Sequence, residues 1–205
     1  SSLILYGPAG TGKTTLAHII AHKTQSRFES INAVVSGVED LRRTIEQAKF
    51  RKLNQGACTI IFIDEIHRFN KAQQDVLMPG LEEGSFILIG ATVHNPFFYL
   101  TSPLLSRSLV VELKPLKKED IMTILRRAIA DKTAGLGNLK IKCDDKAVEF
   151  LANACEGDAR RALNALEIGI LTTNPDKDDI IHFDLEASED SIHKKAVRYD
   201  RDEDW

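Results

Sequence analysis

Residues 3–14 read Leu3-Ile4-Leu5-Tyr6-Gly7-Pro8-Ala9-Gly10-Thr11-Gly12-Lys13-Thr14. The first four form an apolar run that stops at a glycine, as a short buried strand does. From Thr14 to His22 the spacing turns helical, with Leu16, Ile19 and Ile20 expected to face inward. Between strand and helix, residues 7–14 fit GxxxxGK(S/T), the phosphate-loop pattern in its required context. Glycines let such a loop curl until successive N–H groups point at phosphate oxygens. The helix start adds its positive end. Gly7, Pro8, Ala9, Gly10, Thr11, Gly12, Lys13, Thr14 and Thr15 are therefore the expected nucleotide-binding residues. Lys13 is expected to reach the β- and γ-phosphates, and the Thr14 hydroxyl to ligate Mg²⁺.

Further along, residues 57–63 (ACTIIFI) are nearly all apolar, as in a strand covered on both faces. Asp64 and Glu65 follow directly, which places two carboxylates at the carboxyl edge of a parallel sheet, where the phosphate loop also belongs. Asp64 is expected to hold Mg²⁺ through its water shell, and Glu65 to orient or deprotonate the attacking water. An acid beside the metal favours water as the phosphoryl acceptor, so the reading is a Mg²⁺-dependent NTPase rather than a small-molecule kinase.

The remaining pattern completes an α/β layout. Residues 26–33 read as a second strand, and 38–50 as a helix with Val38, Leu41, Ile45 and Ala48 on one face. A helix from Asn70 to about Glu83 is expected to be kinked or shortened at Pro79 and Gly80. Residues 86–91 and 109–113 are two more strands. Strands alternating with helices imply crossovers and a parallel sheet. After Lys114-Pro115 the pattern changes to amphipathic helices over 118–133, 145–155 and 158–172 with no strand between them. The expected division is 1–115 as the nucleotide-binding domain, 116–183 as a small all-helical lid, and 184–205 as a linker. That last stretch holds eight acidic and four basic residues and reads as a helix leading onward or a frayed end. Opening at a core strand without Met suggests a fragment.

Composition narrows the class. The 205 residues are 43 % hydrophobic and 28 % charged, ordinary for a folded domain. No apolar run approaches the ~20 residues of a membrane span. A net charge of −3 argues against a strongly basic nucleic-acid module. Cys58, Cys143 and Cys155 show no CxxC spacing and read as reduced thiols. His18 and His22 stand four apart on one helix, but Ile19 replaces the glutamate of HExxH, so ordinary packing is expected. Asp64-Glu65-Ile66-His67 spells a DExH box, yet 116–205 offers no strand series for a second helicase domain. Arg42, Arg43, Lys49, Arg51 and Lys52, with Phe50 among them, form a basic run, and Arg68 and Lys71 a smaller one. Such runs are more often solvated helix faces than DNA contacts.

GPAGTGKTTLAHIIA (7–21), FIDEIHRFNKAQQD (62–75), LIGATVHNPFF (88–98), LLSR (104–107) and GDARRALNALE (157–167) together resemble AAA+ ATPases. More closely, they resemble the RarA/MgsA family of replication-associated recombination ATPases, relatives of the clamp loaders. The resemblance implies a P-loop NTPase fold with active sites formed between subunits. It implies that Arg107 acts in trans as an arginine finger, and that Arg160 contacts phosphate in cis from the lid. It implies an oligomeric, DNA-stimulated ATPase at stalled or gapped replication forks, cytoplasmic and nucleoid-associated, or nuclear in a eukaryote. Gapped, forked or junction DNA, a single-strand-binding protein and replisome components are the implied partners. One departure stands out: Val93 falls where a polar first-sensor residue is expected, leaving Thr92 or Asn95 to substitute, or hydrolysis weakened. The family also has an adenine-enclosing segment before the phosphate loop and a C-terminal oligomerisation domain. Without them, the 205 residues are expected to bind nucleotide poorly and stay monomeric. The alternatives are another clamp-loader-like or RuvB-like motor, or a nucleotide-binding scaffold that scarcely hydrolyses.

Overall fold

The computed structural model describes residues 2–202, with side chains described for 2–193. The chain divides into two compact units: one holds the residues up to Pro8 and Gly12–Lys114, the other Ala9–Thr11 and the residues from Pro115 onward.

The first unit is built on five strands, β1 (Ser2–Tyr6), β2 (Arg27–Asn32), β3 (Thr59–Asp64), β4 (Ile87–Thr92) and β5 (Ser108–Glu112). They pair in parallel in the order β2-β3-β4-β1-β5. Parallel neighbours need crossovers, and α1 (Lys13–Lys23), α2 (Val38–Gln55), α3 (Lys71–Glu82) and the short α4 (Ser102–Ser106) lie in the connections. Alternate side chains of a strand leave opposite faces, so the sheet feeds two cores. Ile61 and Ile63 join Ile4, Leu41, Ala48, Leu77 and Leu88 on one side. Ile60 and Phe62 join Leu5, Ala17, Ala21, Ile89 and Ala91 on the other.

Two sequence expectations need correction here. In α1 the buried residues are Ala17 and Ala21, Leu16 and Ile20 are only partly covered, and Ile19 is 50 % exposed. Two residues on a helix are ~200° apart, so Ile19 faces away once Ala17 faces the sheet. The small alanines let the helix approach closely. Helix α3 is also not shortened at Pro79 but continues to Glu82. Pro79 falls in the last turn, where the helix gives up one hydrogen bond and still runs three residues further. Gly80 has a packing role instead, because a Cβ there would stand 2.5 Å from Phe86 Cε1. Helix α2 runs five residues past its expected end, to a left-handed Gly56 (φ 64°).

The second unit holds α5 (Lys118–Ala130), α6 (Asp145–Ala154), α7 (Ala159–Thr172) and α8 (Leu185–Asp202). Ile121, Leu125, Val148, Leu151, Ala162, Leu166 and Ile170 form its core. It is mainly helical, but the expectation of no strands is overturned: β6 (Ile141–Cys143) and β7 (Ile181–Phe183) make a parallel pair. Three residues are too few to show a two-residue period, so neither strand is visible as a pattern. Phe183 is fully buried and packs on Gly169, where a Cβ would come within 2.4 Å of its ring. Most of the acidic tail is the helix α8; Trp205, the last residue of the expected linker, lies outside the described residues. Among the described residues no helix is long and apolar enough to cross a membrane.

Candidate functional site

All five strands of the sheet run the same way, so the ends of β1, β3 and β4 share one edge. At β1 the loop begins with Gly7, whose N–H donates to Thr92 O at 3.2 Å. Gly7 has φ 141°, and a Cβ there would lie 2.0 Å from Leu113 O, so no other residue fits. Gly10 (φ 69°) and Gly12 (φ 90°) are left-handed as well. Gly12 caps α1 without a side-chain hydrogen bond, and no acidic residue stands in the first turn. The space where a Gly12 Cβ would point is open to 4 Å. This is the arrangement that favours an anion. Lys13 bends back over the loop, its Nζ donating to Gly7 O and Pro8 O, both at 2.7 Å. Thr14 is half-buried in the first turn of α1, beside an exposed Thr15.

At the end of β3, Asp64 Oδ1 accepts the Glu65 N–H at 3.1 Å. Glu65 is left-handed (φ 56°), an uncommon state for a non-glycine residue. It turns the chain out of the strand into a 3-10 turn over Ile66–Arg68, anchored by a fully buried Ile66. Within that turn stands His67, which sequence reasoning assigned no role. Its side chain is 6 % exposed, and Nδ1 lies 3.3 Å from Glu65 Oε2. The same nitrogen lies 2.9 Å from Thr92 Oγ1 at the end of β4. Edge-on contacts with His94 (ring centroids 4.5 Å apart) and Tyr99 (5.6 Å) enclose the ring. Burial holds the His67 pKa below its ordinary value, against the opposing pull of the Glu65 carboxylate. His67 was legible only as the last letter of a DExH box; its link to Thr92 spans 25 residues of sequence.

Val93 is 41 % exposed. Of the two residues considered in its place, Asn95 accepts the Phe97 N–H at 3.1 Å and caps a 3-10 turn over Pro96–Phe98. The Thr92 hydroxyl faces His67 and accepts the His94 N–H at 3.0 Å.

Arg107 ends α4, with its guanidinium 2.7 Å from Glu82 Oε1 and 3.3 Å from Pro103 O. Arg160 is exposed in the first turn of α7, in the second unit. His18 lies tilted against Phe28 with ring centroids 4.0 Å apart, and among the described residues no group of three or more His, Cys, Asp or Glu side chains is placed to hold a metal ion. The basic run is largely compensated. Arg42 pairs with Glu39, Arg43 with Asp40, Lys49 with Glu83 and Arg51 with Glu29, while Lys52 donates to Gly84 O at 2.6 Å.

Comparison with known proteins agrees with this architecture. The profile of the AAA family (ATPase family associated with various cellular activities) matches residues 3–116, and that of an AAA C-terminal domain matches 137–205. The replication-associated recombination protein A of Bacillus subtilis (strain 168) is 42 % identical over 204 residues, covering 100 % of this chain and 47 % of that protein. Its Escherichia coli (strain K12) counterpart is 50 % identical over 167 residues, covering 82 % of this chain and 37 % of that protein. The chain thus spans less than half the length of these curated relatives. Among solved structures, the RuvB Holliday junction branch migration motor of Thermotoga maritima superposes with a TM-score of 0.71 at 28 % identity, covering 94 % of this chain and 61 % of that one. A parallel sheet with a glycine loop and a carboxylate pair on one edge, together with the match over residues 3–116, leads to one conclusion: the chain belongs to the AAA family of ATPases.

Proposed function

We propose that the protein hydrolyses ATP to ADP and phosphate, and that its full-length form couples this to remodelling of DNA at stalled or gapped replication forks. The observation that carries the ATPase reading is the uncapped, glycine-lined start of α1 on the sheet edge that also bears Asp64 and Glu65. The residues fit Mg-ATP. The Thr14 hydroxyl and the Asp64 carboxylate are hard oxygen donors of the kind magnesium takes. Asp64 accepts one hydrogen bond, on Oδ1, among the described residues. Bound magnesium supplies charge neutralisation on the β- and γ-phosphate oxygens.

The chain's own residues do the rest. Lys13 exchanges two carbonyl acceptors for phosphate oxygens, while the loop from Gly7 to Thr15 supplies N–H donors. Glu65 orients the attacking water and takes its proton. Arg107, released from Glu82, acts on the nucleotide of a neighbouring copy, where an arginine finger is worth ~10³–10⁵ in rate. Arg160 contacts phosphate within its own chain. Homo-oligomer assembly, forked or gapped DNA, a single-strand-binding protein and a cytoplasmic, nucleoid-associated setting complete the proposal. The names of the relatives support a link to replication and recombination.

Val93 supports a second reading. Valine has no group to hydrogen-bond water or phosphate, so a scaffold that binds ATP and scarcely turns it over is its natural alternative. Steady-state hydrolysis by the full-length protein, with and without gapped or forked DNA, decides between them. DNA-stimulated turnover supports the fork ATPase. Turnover indifferent to DNA keeps the ATPase and removes DNA as its effector. Tight ATP binding without turnover favours the scaffold.

A further inference from the structure

We infer that His67 is a positioning residue for Glu65, holding the glutamate carboxylate through Nδ1–H while Thr92 anchors the imidazole from the end of β4. The inference rests on the assignment of Glu65 as the water-activating base.

The argument is one of hydrogen accounting. Nδ1 faces two oxygens, Thr92 Oγ1 at 2.9 Å and Glu65 Oε2 at 3.3 Å. An ionised carboxylate offers only lone pairs. If Nδ1 carried no hydrogen, its own lone pair would face that carboxylate, a repulsive contact. With the hydrogen on Nδ1, both oxygens receive it. Thr92 then closes its own account: Oγ1 accepts from Nδ1–H and from the His94 N–H at 3.0 Å, and its hydrogen faces His94 O at 3.5 Å. Burial favours the neutral ring, which carries a single N–H, so the hydrogen on Nδ1 is the one available. The charged and titratable groups that act on the ring are Glu65, His94 and Arg68.

Rigidity supports the same role. Glu65 has a long side chain that in open solvent samples many rotamers. Here its backbone is fixed by a left-handed turn and by the buried Ile66 beside it. Its carboxylate meets an imidazole enclosed by His94 and Tyr99. Thr92 also accepts the Gly7 N–H through its carbonyl, so one residue of β4 touches both the start of the phosphate loop and the holder of the base. A base fixed in orientation needs less reorganisation when its water arrives.

The test uses the full-length protein and measures kcat, KM and equilibrium ATP affinity for the wild type and for His67→Phe, His67→Asn, Thr92→Val and Glu65→Gln. Phenylalanine keeps the ring packing and removes the nitrogen; asparagine returns an N–H near the place of Nδ1. Loss of a general base costs roughly 10²–10⁴ in rate, so loss of its orientation alone is expected to lower kcat about tenfold in His67→Phe, with ATP affinity within about twofold of wild type. His67→Asn is expected to recover most of that loss, and Thr92→Val to fall between. If His67→Phe fails to fold, Thr92→Val, which replaces a hydroxyl by a methyl, carries the same comparison. A His67→Phe kcat equal to wild type overturns the inference and leaves the site reading standing. So does a parallel loss of ATP affinity and melting temperature that asparagine does not rescue, which marks a purely structural histidine. Wild-type turnover in Glu65→Gln, or none in the wild type, removes the site reading and the inference with it.

Discussion

Lys13 is held by two carbonyls of its own loop, partners that an ammonium can exchange for phosphate oxygens. Lys13→Ala is expected to abolish ATP binding in a fluorescent-nucleotide titration, and unchanged affinity would remove the loop assignment. Gly7 makes a sharper steric statement. Alanine there must fit a Cβ into the space of the Leu113 carbonyl at φ 141°. Gly7→Ala is expected to cost about 2 kcal/mol or more in urea unfolding. The thiols give a chemical check on burial. Burial, with Asp144 and Asp145 nearby, pushes the Cys143 thiol up to about 11, so it remains protonated throughout the neutral range. Cys155 is buried and Cys58 exposed. At pH 8 an aromatic disulfide reagent should find one fast thiol, Cys58, in the native protein and all three in denaturant. A second fast equivalent would contradict the environment of Cys143.

Helix α3 depends on a polar residue for its seat against the chain that follows β4. Gln74 is 1 % exposed, and its amide donates to Phe69 O and Tyr99 O while its oxygen accepts the Thr101 N–H at 2.8 Å. Gln74→Met keeps the volume and strands three backbone groups, so a loss of about 2–4 kcal/mol is expected from chemical denaturation. A loss under ~0.5 kcal/mol would mean water replaces the amide. At this scale the legibility of the sequence follows from how much of the signal is local. Strand β3 could be read because five of its six residues are buried. The phosphate loop and Asp64-Glu65 could be read because each is contiguous. The inward face of α1 was misread because two alanines, weakly hydrophobic and small, outrank Ile19 once close approach decides. Strands β6 and β7 escaped because they are short and define each other only by pairing. His67 escaped for the same reason: its meaning lies in Thr92, on another strand. The division near Lys114 coincides with a change of pattern, since Pro115 follows the last strand of the sheet.

On the scale of the whole molecule the described residues form three cores, one on each face of the five-stranded sheet and one among the four later helices, and nucleotide is expected to act on the sheet unit. A ligand that binds only the folded state stabilises it by about 2.7 kcal/mol at a hundred times its Kd. In Glu65→Gln, where turnover is expected to be lost and binding kept, Mg-ATP should raise the unfolding free energy of the sheet unit by that amount, and with it the denaturation midpoint. In Lys13→Ala it should leave the midpoint unmoved. Removal of magnesium by chelation should shrink the shift in the former.

The strand order has a further consequence, for the time course of biosynthesis. β1 leaves the ribosome before every other strand of the sheet, yet its neighbours are β4 and β5, with Leu3 opposite Ile89 and Leu109. At ~5–20 residues per second, an apolar strand waits roughly 5–20 s for the chain that will cover its edges. Through that interval the nascent protein displays Leu-Ile-Leu-Tyr beside an unformed loop, a natural handle for chaperones and a liability for self-association. The segment that names the fold is thus made early and finished late, with its two edges unpaired until the fourth and fifth strands are translated.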